Sequence, residues 1–588
     1  MRKSRLRVFR LLAAGAAIAL VAAACGDDGG SESASSSSSS TVPGASVQPA
    51  TSAQAQAGGT LTIATFIEPP GLDPLVAAGS GVVGGMEMMA IYDSVMQYNA
   101  QTGKYEGRTG QSLEANSDST EWTLKIKPNI KFSDGTDYDA EAVKFGIDRS
   151  RSGQPGAPPC GEIRACPRST SAAAGPMGDV KTTEVIDKLT LKITLSGSWP
   201  GFPAMLSSTP GMIPSPTAMK AACPADTTSL PRACPFNLAP VGAGPFIIDS
   251  FRPKEAISMK KNPNYWGGNV LLDGLKFINF ADAGSQKTYD ALTAGTAQVA
   301  FLRDPQLVAK AKSEKLGGLS FFQQAGNILL MNNGVSVRCA GGLPAPACTG
   351  RPDGAFTPPT PTQQLKVRQA VAAAVDAKVV NDRAFNGAAL AGTELFQKGF
   401  RYDPGVPGPT YDLNRAKQLV QEAKTAGWDG RIRYMTDSAP TNQQTALAVQ
   451  AMLQLAGMTV DIDTVESTVI ATNKRDGSYQ LASHGFNITD DDMGTARNLA
   501  GNLTSTSSTN RMGYKSTQMD AAIAQLKAAK DDAAKTAAYR TIAQLYLQDA
   551  PFLVLGAVDE RLTWVAGING ITPGLESISY FDKAWIQK

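Results

Sequence analysis

Trp122-Thr-Leu-Lys-Ile-Lys-Pro-Asn-Ile-Lys-Phe-Ser-Asp-Gly-Thr136, with Ala140-Glu-Ala-Val143 close behind, sets the reading of this chain. From Glu121 to Lys127 apolar and polar residues alternate, the period of a strand with one buried face. The extended run passes through Pro128-Asn129 into Lys131-Phe132, and Ser133-Asp-Gly-Thr136 is turn chemistry. Asp139 to Ile147 then has the spacing of a helix with an acidic first turn.

The same mixture continues in both directions. Gly59-Thr-Leu-Thr-Ile-Ala-Thr-Phe66 predicts the first strand, which Glu68-Pro-Pro-Gly-Leu-Asp-Pro74 breaks. Thr190–Leu195 predicts another, and strands resume from Gly242-Ala-Gly-Pro-Phe-Ile-Ile248. Helical spacing marks Met86–Tyr98, residues 285–297 and 362–384, Asn414–Gly427, Thr441–Gly457 and a long stretch over Met519–Asp549. Residues 150–178 and 220–240 are rich in Pro, Gly, Ser and Cys and read as loops. No internal repeat is evident. Strands and helices interleave throughout, which predicts an α/β fold rather than a sandwich or a bundle.

The N-terminus carries a separate message. Arg2, Lys3, Arg5, Arg7 and Arg10 precede an apolar run from Leu11 to Ala24, too short for a permanent span, so residues 1–24 read as an export signal. Cys25 follows the small residues Ala22, Ala23 and Ala24, which resembles a bacterial lipobox, although Ala22 replaces the usual larger aliphatic residue. Lipidation of Cys25 would anchor the chain, since two or more acyl chains suffice for stable membrane attachment; ordinary secretion with a coincidental cysteine is the alternative. Residues 25–57 are a Ser-rich tether with six consecutive serines from Ser35 to Ser40. They cannot bury a core and are expected to be disordered, with a reach of about 30 Å.

Seven cysteines include Cys25, leaving Cys160 and Cys166, Cys223 and Cys234, Cys339 and Cys348. Three close pairs in an exported chain predict three local disulfides. A metal site has little to draw on: C-x-x-C is absent and His484 is the one histidine. The 588 residues exceed what one compact core holds, so two or more domains are expected. The net charge is +3 with no basic, aromatic-interleaved run, which excludes nucleic acid as a partner. No second apolar run is long enough to cross a membrane.

Taken in order, the motifs carry a family resemblance. Gly59-Thr-Leu-Thr-Ile63 is followed by Leu72-Asp-Pro74, Ile91-Tyr-Asp-Ser94 and the Trp122 block. Then come Gly242-Ala-Gly-Pro-Phe246, Asn262-Pro-Asn-Tyr-Trp-Gly-Gly268, Val367-Arg-Gln-Ala-Val371 with Val375-Asp376, and Tyr411-Asp-Leu-Asn-Arg-Ala-Lys417. Gly513-Tyr514, Met519-Asp520 and Asp549-Ala-Pro-Phe552 complete the series. Over nearly all of residues 58–588 the chain resembles the large solute-binding proteins of ABC importers, which include dipeptide-, oligopeptide- and nickel-binding proteins. The resemblance implies a two-lobed hinged clamp of the large three-domain type with mixed sheets. Residues 58–90, 239–330 and 556–588 would form the core of lobe I, 91–238 a domain inserted in it, and 331–555 lobe II. A small extended ligand, a peptide in the first place, would bind between the lobes, and the closed form would dock on ABC permease subunits. A monomer without cofactor is expected.

Two stretches are candidate ligand contacts. Gly79-Ser-Gly-Val-Val-Gly84 fits G-x-G-x-x-G, but Pro69, Pro70 and Pro74 separate it from the preceding strand, which argues against a nucleotide site. By position after Asp73-Pro74, peptide-binding relatives line the cleft with this stretch, so Ala78, Gly79 and Ser80 are candidates, their backbone able to pair with an extended ligand. The second stretch is His484-Gly-Phe-Asn-Ile-Thr-Asp-Asp-Asp492. Peptide-binding relatives carry here an aromatic residue and, three places on, an aspartate that pairs with the ligand's amine. Phe486 takes the aromatic position and Thr489 falls where the aspartate would be; Asp490 could serve if the loop shifts by one. Asn487 lies between them, Asp492 matches a second acid, and a solvated acidic turn is the plain alternative. His484 could line the cleft or take part in a metal or haem role.

An exported hydrolase is the competing class. A triad would have to recruit His484, and neither G-x-S-x-G nor H-E-x-x-H occurs. A surface sensor for a metal chelate, haem or sugar is the other alternative to peptide import.

Overall fold

The computed structural model describes residues 54–77, 79–100, 102–152, 157–158, 174–223, 234–280, 284–339, 348–507 and 509–588. The export signal, Cys25, most of the tether, Ala78 and the Cys160–Cys166 pair lie outside the described residues.

The chain opens with β1 (Thr60–Thr65), β2 (Met96–Asn99), β3 (Lys104–Gly107), β4 (Gly110–Ala115) and β5 (Glu121–Ile126). β6 (Val180–Asp187) and β7 (Thr190–Leu195) follow. In β5, Trp122, Leu124 and Ile126 are buried while Thr123 and Lys125 face out, as the alternation predicts. Asn129 and Gly135 take left-handed conformations at φ 64° and 84°. Asp134 Oδ1 accepts from Thr136 N–H at 3.0 Å, closing the turn. Asp139 caps the next helix, Ala140–Ser150, by accepting from Ala142 N–H at 3.1 Å. These elements build a four-stranded antiparallel sheet in the order β4-β5-β7-β6, over a core that includes Phe132, Ile147, Leu191, Trp199 and Phe202.

Four strands, β8 (Phe246–Arg252), β9 (Ala256–Lys261), β10 (Gly274–Asn279) and β11 (Val299–Leu302), lead to the long β12 (Gly317–Met331). β13 (Val337–Cys339) and β14 (Gly354–Phe356) form a hairpin, and β15 (Leu390–Ala391) is short. β16 (Arg431–Thr436), β17 (Thr459–Thr464) and β18 (Leu481–Phe486) precede the last long strand, β19 (Phe552–Trp564). Among the described residues one eleven-stranded mixed sheet runs β17-β16-β18-β12-β19-β11-β1-β10-β9-β8, with β15 paired to β19. β1 is parallel to β10 and β11, and β16 to β17 and β18.

β12 and β19 are the seam. They pair antiparallel from Gly317 opposite Trp564 to Leu330 opposite Phe552, with register shifts between Gln323 and Ile328. Toward one end of the seam a core gathers Leu61, Ile63, Phe277, Val299, Leu562 and Trp564. Toward the other, a second core holds Ile328, Phe486, Tyr539 and Phe552, and a third packs Leu329, Val367, Leu419, Val449 and Leu553 on the opposite face.

Several family motifs are structural. Asp73 is buried and paired with Arg149, Nη2 to Oδ2 at 2.8 Å. Asp93 binds Arg108 and accepts from Tyr265 Oη–H at 2.7 Å, which joins the Tyr-Asp-Ser and Asn-Pro-Asn-Tyr-Trp motifs. Cys223–Cys234 and Cys339–Cys348 are bridged, with Cα separations of 5.3 and 5.4 Å.

Three helical readings need correction. The helix from Met86 ends at Tyr92, because Asp93 adopts φ 61°, and Met96–Asn99 is strand. Residues 362–384 break into Leu365–Ala374 and Ala377–Phe385, where Asp376 caps the second helix through Lys378 N–H. Met519–Asp549 divides into Thr517–Ala528 and Asp532–Asp549, with Asp531 as the new cap.

Candidate functional site

Parallel strands deliver their C-terminal ends to one place. β1 ends beside Phe66, β11 beside Arg303 and Asp304, and β16 at Thr436 and Asp437. With β18 they enclose a cavity of about 400 Å³. Phe66 packs against the first core, while Met435 belongs to the second and Leu555 to the third, so the cavity lies where the cores meet.

Charges of both signs line the cavity, Arg303 and Lys474 with Asp304 and Asp437. Lys474 is 8% exposed and donates to Ser483 O at 2.5 Å; among the described residues it has no ion pair. Burial, helped by Arg511, pushes its ammonium down to about 7. Arg303 reaches Glu560 at 3.3 Å. His484 lines the cavity, and burial, with Lys474, Arg511 and Arg303 around it, holds its imidazole well below the usual range, so it is neutral. Thr436 is 2% exposed, and its hydroxyl oxygen has no hydrogen-bond partner. An anionic group entering this space would meet the Lys474 ammonium, which no carboxylate among the described residues pairs, and the Thr436 hydroxyl.

The glycine stretch has no free cradle of this kind. Gly79 N–H donates to Val83 O at 3.2 Å, Gly81 N–H to Glu576 O at 2.9 Å, and both Val83 and Gly85 N–H to Ser80 O at 2.9 Å. A Cβ on Gly81 would lie 1.9 Å from the Ser577 carbonyl oxygen, so glycine here permits close packing rather than phosphate binding. Ser80 is buried.

The acidic loop separates its candidates. Phe486, expected among the ligand contacts, turns its ring into the second core, with its centroid 4.9 Å from that of Phe552. Asn487 has a buried side-chain oxygen without a partner, and its backbone oxygen accepts from Asn498. Thr489 is part-buried, with Gly494 folded back over its amide. Asp490 accepts only a long bond from Arg401 N–H, at 3.5 Å, and burial pushes its carboxyl up to about 6. Asp492 is neutralised by Lys535 at 2.6 Å.

Asp491 lies between them. It accepts from Met493 N–H at 2.8 Å and Gly494 N–H at 3.3 Å, and has no ion pair among the described residues. Burial, reinforced by the Glu576 and Asp492 carboxylates, pushes it up to about 7. Part of its surface nevertheless stays open. Tyr98 and Tyr105, with ring centroids 5.3 Å apart, approach from the small-sheet side, and Asp492 N–H donates to Tyr105 Oη at 3.3 Å. Burial and then Asp491 or Asp492 raise both phenols.

Sequence reasoning located this loop and His484 but missed Asp491, Lys474, Arg303 and Thr436. The strand-end positions of Arg303 and Thr436 were a usable signal; nothing local marks Lys474, whose burial is tertiary.

Residues 104–508 match the profile described as Bacterial extracellular solute-binding proteins, family 5 Middle. The glutathione-binding protein GsiB of Shigella dysenteriae is 23% identical over 460 residues, 77% of this chain and 80% of that protein. The periplasmic binding protein DppA of Helicobacter pylori, solved with the peptide STSA, superposes with a TM-score of 0.70 at 20% identity, over 91% of this chain and 99% of that one. AgaA of A. tumefaciens, solved with agropinic acid, gives 0.69 at 20% identity, over 90% and 99%. At these identities the structural likeness speaks for the fold, which is that of the two-lobed binding proteins.

Proposed function

Because the chain belongs to family 5 of the bacterial extracellular solute-binding proteins, we propose that it captures a small extended solute carrying both an amine and an acid, a peptide in the first instance, for an ABC importer. The observation that supports this reading is the placement of opposite charges about the segment from His484 to Asp491: Lys474, which has no ion pair among the described residues, and Arg303 line the cavity with His484, and Asp491 lies seven residues further on. Such a segment spans at most about 25 Å when extended, room for a short peptide. A buried ammonium without a partner would cost several kcal/mol, so Asp491 is the docking point proposed for the amine.

The lobes are taken as residues 58–90, 239–330 and 556–588 with the insertion 91–238, closing on 331–555. Family members bind and deliver solutes, and no catalytic role is assigned to any residue here. Native mass spectrometry of the purified full chain tests the ligand class directly. A co-purified peptide, or a thermal shift with free-amine tri-alanine that N-acetyl-tri-alanine does not give, supports peptide capture; a non-peptide ligand overturns it. The second reading, a non-peptide zwitterion or a metal chelate, draws on Phe486 being withdrawn into the core and on His484 lining the cavity.

Solute-binding proteins are extracytoplasmic, and no helix among the described residues is long and apolar enough to cross a membrane. Attachment through lipidated Cys25 is part of the proposal. Cys25→Ser should release the protein into the medium, and full retention in the membrane fraction on immunoblots would refute the anchor.

A further inference from the structure

The elements around the second core meet the rest of the molecule through side chains that differ in exposure. On the side of the four-stranded sheet, Lys527 pairs with Asp179, which is 40% exposed, and Lys530 donates to Ser117 O at 2.9 Å at the surface. Exposed pairs of this kind contribute little. Arg497 and Glu576 differ: their side chains are 10% and 7% exposed, and they bind each other. Arg497 stands on the helical turn Gly494–Ala500, whose Leu499 belongs to the second core. Glu576 sits between Ile571 and Ile578 of the first.

The Glu576 side is held in an unusual way. Glu576 and Ser577 have φ 53° and 65°, consecutive left-handed conformations that favour Asn-Gly, and Ile578 N–H closes the turn on Leu575 O at 2.9 Å. Gly81 N–H fixes the Glu576 carbonyl, and Ser577 Oγ–H donates to Glu560 Oε2 at 2.6 Å. Glu560 in turn meets Arg303 of the ligand cavity. A backbone held this way by its surroundings serves to aim a side chain.

We propose that Arg497–Glu576 is the latch of the clamp, an ion pair made across the two cores when they close. The Glu576–Ser577 turn ties it through Glu560 to Arg303 in the cavity lining. Arg497 is thus a positioning residue for closure. When the cores part, both charges return to water; when they meet, each is buried and needs the other. Removing one partner therefore penalises the closed state alone, whereas removing both charges penalises neither.

This inference goes beyond the ligand reading and needs no ligand to test. Small-angle X-ray scattering of the full chain at about pH 8 would compare wild type, Arg497→Met, Glu576→Gln and the double variant Arg497→Met/Glu576→Gln. Each single variant should show a larger radius of gyration, and the double variant should return to the wild-type value. Unchanged single variants, a double variant as expanded as either single, or scattering of an unfolded chain from any of them would overturn the latch. Failure of peptide binding would leave these outcomes untouched.

Discussion

With a carboxyl pushed up to about 7, Asp491 is near half-protonation at neutral pH, whereas in an unfolded chain it ionises near 3.9. Between about pH 4 and pH 7 the folded protein holds a proton that the unfolded chain has lost, so this residue lowers stability as pH rises through that window. Asp491→Asn should therefore stabilise the ligand-free protein by about 1–3 kcal/mol near pH 8, read as a higher midpoint in urea. The same change should weaken a free-amine ligand by about 2–5 kcal/mol in calorimetry. If stability falls instead, the carboxylate is a structural acceptor and not an amine site. Lys474 works with the opposite sign. Its folded value of about 7 lies below the ordinary 10.4, so its cost is fully present below neutrality and fades as pH rises above it. Lys474→Met should raise the melting temperature near pH 6 while reducing affinity for ligands with a free acid; unchanged affinity would remove Lys474 from the site. Residue identity made the acidic loop legible, but three adjacent aspartates look alike in a sequence. What distinguishes them is which one Lys535 reaches, and Lys535 stands on a helix distant along the chain.

Among the elements, the strand-turn-helix unit from Glu121 to Ser150 was legible because its signals are local: alternation, the Asp134 turn and the Asp139 cap act within a few residues of each other. The divided helices carry equally local signals at Asp376 and Asp531, but apolar spacing continues across each break because both halves pack on one core, and periodicity conceals the caps. β12 and β19 were not legible at all. β19 is buried nearly end to end, so no alternation survives to mark it, and its partner is set by contacts more than two hundred residues away in sequence. The glycine stretch was found for its pattern and then explained by packing. Gly81→Ala would drive a methyl into the Ser577 carbonyl, so it should cost about 1–3 kcal/mol in chemical denaturation. A neutral result would mean that the Glu576–Ser577 turn yields easily, against the rigid support that the latch requires.

At the scale of the whole molecule, the two-lobed architecture was legible from motif order, while the continuity of one sheet through both lobes was not, since it depends on the unread seam. The place of β19 in that seam also governs how the protein comes into being. It lies between β12 and β11, yet it follows both by more than two hundred residues, and residues 568–586 of the first core come after it. A chain emerging N-terminus first must carry two unpaired strand edges until residue 564 appears, and such edges invite association with other chains. A chain ending at Asp549 would keep every residue that lines the cavity except Leu555, Gly556 and Ala557, and all of the acidic loop, yet it should be recovered as aggregate. For an exported protein the same delay is useful. The sheet cannot be completed before β19 has emerged, which leaves the preceding chain threadable until then.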